Sequence, residues 1–87
     1  MQPRDLGQYG TAYYLMERYE KASAEFDKAL KRAPNRGDIH YTYAETLARM
    51  ESYDPAWTHV HRAEDLRYDR IEEAFLTALS PEAAKSK

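Results

Sequence analysis

The chain has 87 residues with a formal net charge of −2, and it contains no cysteine, so one small domain must be held together by packing without disulfides or thiolate metal ligands. Acids and bases are interspersed along it, without the basic excess that drives nucleic-acid binding. No stretch reaches the roughly 18 apolar residues needed to span a bilayer, and Met1 to Leu6 carries Arg4 and Asp5 in place of a signal-peptide core, so the default expectation is a soluble, cytoplasmic protein.

Apolar residues return every three or four positions and nowhere alternate with period two, which predicts five helices and no strands. The first is expected from about Pro3 to Met16, with Leu6, Tyr9, Tyr13 and Met16 on one stripe and Pro3 in a first turn that needs no N–H. The second spans about Tyr19 to Lys31. It turns Ala22, Phe26, Ala29 and Leu30 inward and Lys21, Glu25, Lys28 and Lys31 to water, and Pro34, Asn35 and Gly37 end it.

The third helix opens near Gly37 and Asp38, with Asp38 an acceptable N-cap, and carries Ile39, Tyr43, Leu47 and Met50 at helical spacing. In the turn that follows, Asp54 is the expected N-cap and Pro55 the first residue of a fourth helix running to about Leu66. A fifth, from about Asp69 to Leu79, has Ile71, Ala74, Phe75, Ala78 and Leu79 on one face and is expected to stop at Ser80-Pro81, leaving 81–87 as a flexible tail.

Residue identities recur after one 34-residue step, among them Tyr9 with Tyr43, Met16 with Met50, Glu17 with Glu51, Tyr19 with Tyr53, Ala22 with Ala56, Ala29 with Ala63 and Arg36 with Arg70. A fixed period of this size signals stacked copies of one helix-turn-helix unit. The run Leu6, Tyr9, Gly10, Tyr13, Ala22, Phe26, Ala29, Pro34 resembles the tetratricopeptide repeat, with Leu6 where the family usually has Trp and Tyr9 where it usually has Leu. A weaker second unit keeps Ala44, Leu47, Tyr53, Ala56, Val60 and Ala63 in register but ends in Tyr68 instead of Pro. Small Gly10, Ala22, Ala44, Ala56 and Ala63 let paired helices approach closely, while Tyr13 and Phe26 fill the space beside them.

The resemblance implies an all-α domain over 1–80. It would consist of repeat one at about 3–36, repeat two at about 37–70 and a capping helix at about 69–79, stacked as a right-handed superhelix. It further implies a protein-interaction scaffold that holds a peptide or partner helix on a concave wall built from the first helix of each unit. Carried over by position, that wall includes Thr11 and Tyr14, then Tyr41, Glu45 and Arg49, then Phe75. The aromatic members of this set are surplus to the repeat's own packing or else pack on neighbouring helices. Family members that capture a chaperone's carboxyl end use Lys, Asn, Asn, Lys and Arg, and the corresponding places here hold Gly7, Thr11, Thr42, Glu72 and Leu76. Two hydroxyls and one opposing charge do not bind a carboxylate, so that ligand is disfavoured. The rival readings are a structural end segment of a longer array and a homo-oligomer formed through the unpaired faces of the first or fifth helix.

No catalytic constellation or phosphate-cradling glycine loop occurs, and no cofactor is expected. His59 and His61, two residues apart on a helix, point about 200° apart and cannot chelate together, so no metal site is expected. Lys28, Lys31, Arg32 and Arg36 read as cations favoured near a helix C-terminus, and Trp57 as a residue packed on the fifth helix.

Overall fold

A computed structural model describes the backbone of residues 7–86 and the side chains of residues 7–79. Five helices follow in order: α1 (Gln8–Leu15), α2 (Tyr19–Arg32), α3 (Gly37–Arg49), α4 (Tyr53–Asp65) and α5 (Glu73–Ser86). The described residues contain no strand.

Helices α2, α3 and α4 hide most of the small or apolar residues that their spacing predicts, whereas α1 leaves Tyr9 and Met16 exposed and α5 leaves Ala74 and Ala78 exposed. Ala22, Phe26 and Ala29 of α2 are buried, as are Ile39, Tyr43, Ala44 and Leu47 of α3, Ala56, Val60 and Ala63 of α4, and Leu79 of α5. Gly10 is buried against α2, where a methyl group in place of its hydrogen would lie 2.7–2.9 Å from three carbons of the Phe26 ring. On its other side Phe26 meets Tyr43 of α3, ring centroids 5.7 Å apart. The Tyr43 hydroxyl donates to Asp27 at 3.0 Å, and burial together with that carboxylate pushes its pKa up to about 12. The Ser23 hydroxyl adds a contact to the Met50 sulfur at 3.4 Å, so α2 is at once the partner of α1 and the wall on which α3 packs.

Helix boundaries depart from expectation in four places. Gly7 takes φ 86°, a left-handed conformation that suits glycine, so α1 begins at Gln8; the expected start at Pro3, and Leu6, lie outside the described residues. Asp38 does not cap α3. It lies in the first turn and accepts two hydrogen bonds, at 3.0 and 2.8 Å, from the Arg36 guanidinium, which hold its carboxyl below the usual range. Helix α4 starts one residue before Asp54, with Ser52 at the cap. Pro55 is still accommodated, because amides throughout the first turn have no intrahelical acceptor to lose.

The largest departure is α5, which begins at Glu73 and runs to Ser86, through the expected stop at Ser80-Pro81 and through most of the segment expected to be a flexible tail. Its start is fixed from outside, since the backbone N–H of Glu72 donates to the Tyr41 hydroxyl at 3.2 Å and leaves 68–72 as an irregular link. Beyond Pro81 the run Glu82-Ala83-Ala84-Lys85 consists of strong helix formers, which favour continuation past one missing hydrogen bond.

Tyr9, expected in the packing seam, is 59 % exposed, because nothing among the described residues covers that side of α1. Pro34 is exposed as well, just past the α2 cap, and Tyr13 is half-buried against the core. Trp57 is half-buried against the core beside His61, ring centroids 5.5 Å apart.

The turns that close α1, α3 and α4 share a device that residue type does not announce. Glu17, Glu51 and Arg67 have φ of 63°, 59° and 61°. The next amide in each case reaches back to the last turn: Arg18 N–H to Tyr13 O at 2.8 Å, Ser52 N–H to Leu47 O at 2.8 Å and Tyr68 N–H to Ala63 O at 3.0 Å. These are Schellman caps built without glycine. Because a side chain in the left-handed region costs about 1–2 kcal/mol and glycine's extra chain entropy offsets only part of that gain, Glu51→Gly is expected to raise stability in urea by about 0.5 kcal/mol. A drop in the urea midpoint would count against the left-handed turn.

One polar contact between α3 and α4 links residues 19 apart. His40, buried, places Nε2 2.8 Å from the Pro34 carbonyl and Nδ1 2.9 Å from His59 Nδ1. A carbonyl only accepts, so in neutral His40 the proton is on Nε2, Nδ1 accepts, and His59 donates from its own Nδ1. Burial, then the neighbouring His40, lowers the His59 pKa from its ordinary 6.5. A depressed native pKa means that the unfolded chain binds the proton first. This pair therefore supports the fold fully above pH 6.5 and loses that support as pH falls toward the native value. Melting temperature is expected to drop as pH is lowered below 6.5, with a shallower slope in His59→Phe. Parallel slopes in the two proteins would rule the pair out as the source.

Candidate functional site

Side chains from α1, α3 and α5 converge on one side of the molecule. A cavity of about 300 Å³ is lined by Tyr14 of α1, Glu45 and Arg49 of α3, and Phe75, Ala78 and Leu79 of α5. A wider cleft of about 600 Å³ between α1 and the start of α3 is bordered by Thr11, Leu15, Asp38 and Thr42. The helical period produces this arrangement, since Thr11, Tyr14 and Leu15 share one face of α1 just as Glu45, Ala48 and Arg49 share one of α3. Thr11 thus belongs to the wide cleft, and Tyr14, Glu45, Arg49 and Phe75 to the narrower cavity.

Tyr41 is the exception among the expected wall residues. Only 5 % exposed, it lies between Tyr68 and Phe75, with ring centroids 5.5 and 5.4 Å away, the latter edge-on. Its hydroxyl is engaged by the Glu72 amide, so Tyr41 docks α5 and presents no free surface to a ligand. Burial raises its pKa and keeps the phenol neutral.

The cavity wall has a defined polarity. Arg49 lies 6.0 Å from the Tyr14 ring centroid, a cation over an aromatic face, and Tyr14 also meets Tyr19 at 5.8 Å. The Glu45 carboxyl is raised above the ordinary carboxylate range, first by partial burial and then by the nearby charge of Glu72, against the opposing effects of Arg49 and a hydrogen bond from Tyr41. The site therefore pairs aromatic surface with a cation at the rim and an incompletely compensated carboxylate inside.

Histidine supplies what sequence reasoning missed. His59 pairs with His40 of α3 and not with His61, and only tertiary contact reveals a partner 19 residues away. Among the described residues no group of three or more His, Cys, Asp or Glu could hold a metal ion. The basic cluster is partly neutralised: Lys28 pairs with Glu25 at 3.2 Å and Arg36 with Asp38 at 2.8 Å. Among the described residues no helix is long and apolar enough to cross a membrane.

The tetratricopeptide repeat family model matches residues 3–36, which takes in α1, α2 and the turn after them. Together with five helices packed in sequence, the match supports a tetratricopeptide repeat assignment. Repeats of this family generally mediate protein–protein interaction and are generally scaffolds, not enzymes. No curated protein and no solved structure matches the chain.

A carboxyl raised in the folded state binds its proton more readily there than in the unfolded chain. Its ionised form therefore opposes folding, and that cost is present above the native pKa and disappears as pH falls below the unfolded value. Glu45→Gln is accordingly expected to stabilise the domain at pH 7 by no more than about 0.5 kcal/mol, the scale of a partly solvated charge. The gain should vanish by about pH 4, near the ordinary glutamate pKa. Equal melting temperatures of the two proteins at pH 7 would remove the conflict attributed to Glu45.

Proposed function

We propose that this chain is a protein-interaction module of two helical repeats, 3–36 and 37–70, closed by α5, and that it holds a peptide or helix of a partner protein in the cavity shared by α1, α3 and α5. One observation carries the reading: Tyr14, Glu45, Arg49 and Phe75, far apart in sequence, line a single cavity. An aromatic wall with one polar end is the surface type enriched in protein interfaces. The alternation of Tyr14, Arg49 and Glu45 supplies a stacking face, a donor and an acceptor for the main chain or polar side chains of a ligand.

Frame and wall carry separate duties in this reading. Positions that echo after 34 residues, such as Ala22 with Ala56 and Ala29 with Ala63, are fully or nearly fully buried and serve the stack. Positions that change, Gly7 to Tyr41, Thr11 to Glu45 and Leu15 to Arg49, give the two units different chemistry on the wall side.

Affinity capture with the intact chain compared with a Tyr14→Ala/Arg49→Ala variant tests the assignment. Both side chains lie at the surface of the cavity, so the variant is expected to keep the helical circular-dichroism signal and to lose at least tenfold in captured partner, the loss typical of a central interface residue. An identical set of captured proteins at identical yield would place the interface elsewhere.

A further inference from the structure

The cavity between α1, α3 and α5 carries its two charged side chains in different surroundings. Arg49 is exposed and lies over the Tyr14 ring, 6.0 Å from its centroid, so its cation already has water and an aromatic face. Glu45, one helical turn earlier, is half-buried. The ion pairs among the described residues join Lys28 to Glu25 and Arg36 to Asp38, and neither includes Glu45. Its carboxylate accepts a hydrogen bond from the Tyr41 hydroxyl, yet burial and the nearby charge of Glu72 outweigh that support and the pull of Arg49. A half-buried charge is screened less than an exposed one, so the cavity is negative within and positive at its rim. The wall beside Glu45 is largely carbon, with Tyr53, Phe75 and Leu79.

We infer that the cavity takes a lysine side chain of the partner segment, with its ammonium on Glu45 and its methylene stem along Phe75 and Leu79. This rests on the reading of the cavity as the partner site and names what that site selects. A cation brought by the ligand supplies the counter-charge that Glu45 lacks, through a charge-assisted hydrogen bond. The four-carbon stem of lysine covers apolar wall while delivering a compact charge at its end. Arginine fits less well. Its planar fork favours a bidentate carboxylate and a free aromatic face, whereas Glu45 already accepts from Tyr41 and the Tyr14 ring is already covered by Arg49. Arg49 is left at the rim as a donor to a main-chain carbonyl of the ligand, so the two charged side chains hold different parts of one segment.

The test immobilises the full chain and passes over it two pools of heptapeptides, N-acetylated and C-amidated, with degenerate uncharged residues around a central lysine or a central norleucine. The lysine pool is expected to be retained about tenfold more than the norleucine pool, the scale of one charge-assisted hydrogen bond. That preference should fall to parity in Glu45→Gln, whose melting temperature at pH 7 is not lowered, so the loss there is not a loss of fold. It should persist in Glu64→Gln, which removes the same unit of charge from an exposed position of α4. An equal fall in both variants would overturn the inference by assigning the preference to overall charge. An arginine-centred pool retained above the lysine pool would overturn it as well. Equal retention of the lysine and norleucine pools, lost in Tyr14→Ala/Arg49→Ala, would overturn this inference alone and leave the cavity as the partner site. Retention of neither pool would overturn both readings.

Discussion

Phe26 is the contact on which the stack depends. Its ring, 1 % exposed, has Gly10 of α1 on one side and Tyr43 of α3 on the other, so one side chain closes the seam within the first helical pair and the seam to the next. Both neighbours are constrained by it. The α1 position tolerates no side-chain carbon, and the α3 position must be flat enough to lie against a ring while its hydroxyl reaches Asp27 at 3.0 Å. Close-packed interiors transmit such constraints, so the spacing of α1 from α3, and with it the width of the cleft between them, follows from how Phe26 is seated.

The second helical pair solves the same problem with different means. Ala44, Ala56 and Val60 are fully buried in one core, and His40 and His59 add a polar link from α3 to α4. Those histidines replace bulk with direction, since their hydrogen bonds to each other and to the Pro34 carbonyl hold the two helices in one register. Tyr41 does the same for α5, where a hydroxyl and two ring contacts organise the link and the helix start. Aromatic residues thus divide into those that build the wall and those that remain on it.

That division marks the limit of what the sequence conveys. The helices and most packing positions were legible because burial on a helix imposes a period and stacking imposes an echo; Ala22, Ala29, Ala56 and Ala63 obey both and are buried. Tyr9 obeys both and is exposed, because no helix among the described residues packs on that side of α1. Tyr14 and Tyr41 read alike in sequence, yet one lines a cavity and the other is buried, a difference set by where α5 docks. The repeated Glu17 and Glu51 encode left-handed turns with a residue type that does not favour them, and the start of α5 is fixed by a hydroxyl 31 residues upstream. Local propensity is silent on tertiary partners of that kind.

The attachment of α5 has a consequence for recognition. Its hold includes Leu79 in the core, Phe75 and Leu76 packed against that core, Phe75 edge-on to Tyr41, and an amide bond at Glu72. Because Phe75 and Leu79 also line the cavity, a ligand that touches them finds its complete site only in molecules whose α5 is docked. Tyr41, which does not line the cavity but packs on Phe75, would then act on a ligand only through the position of α5 and the cavity residues it touches.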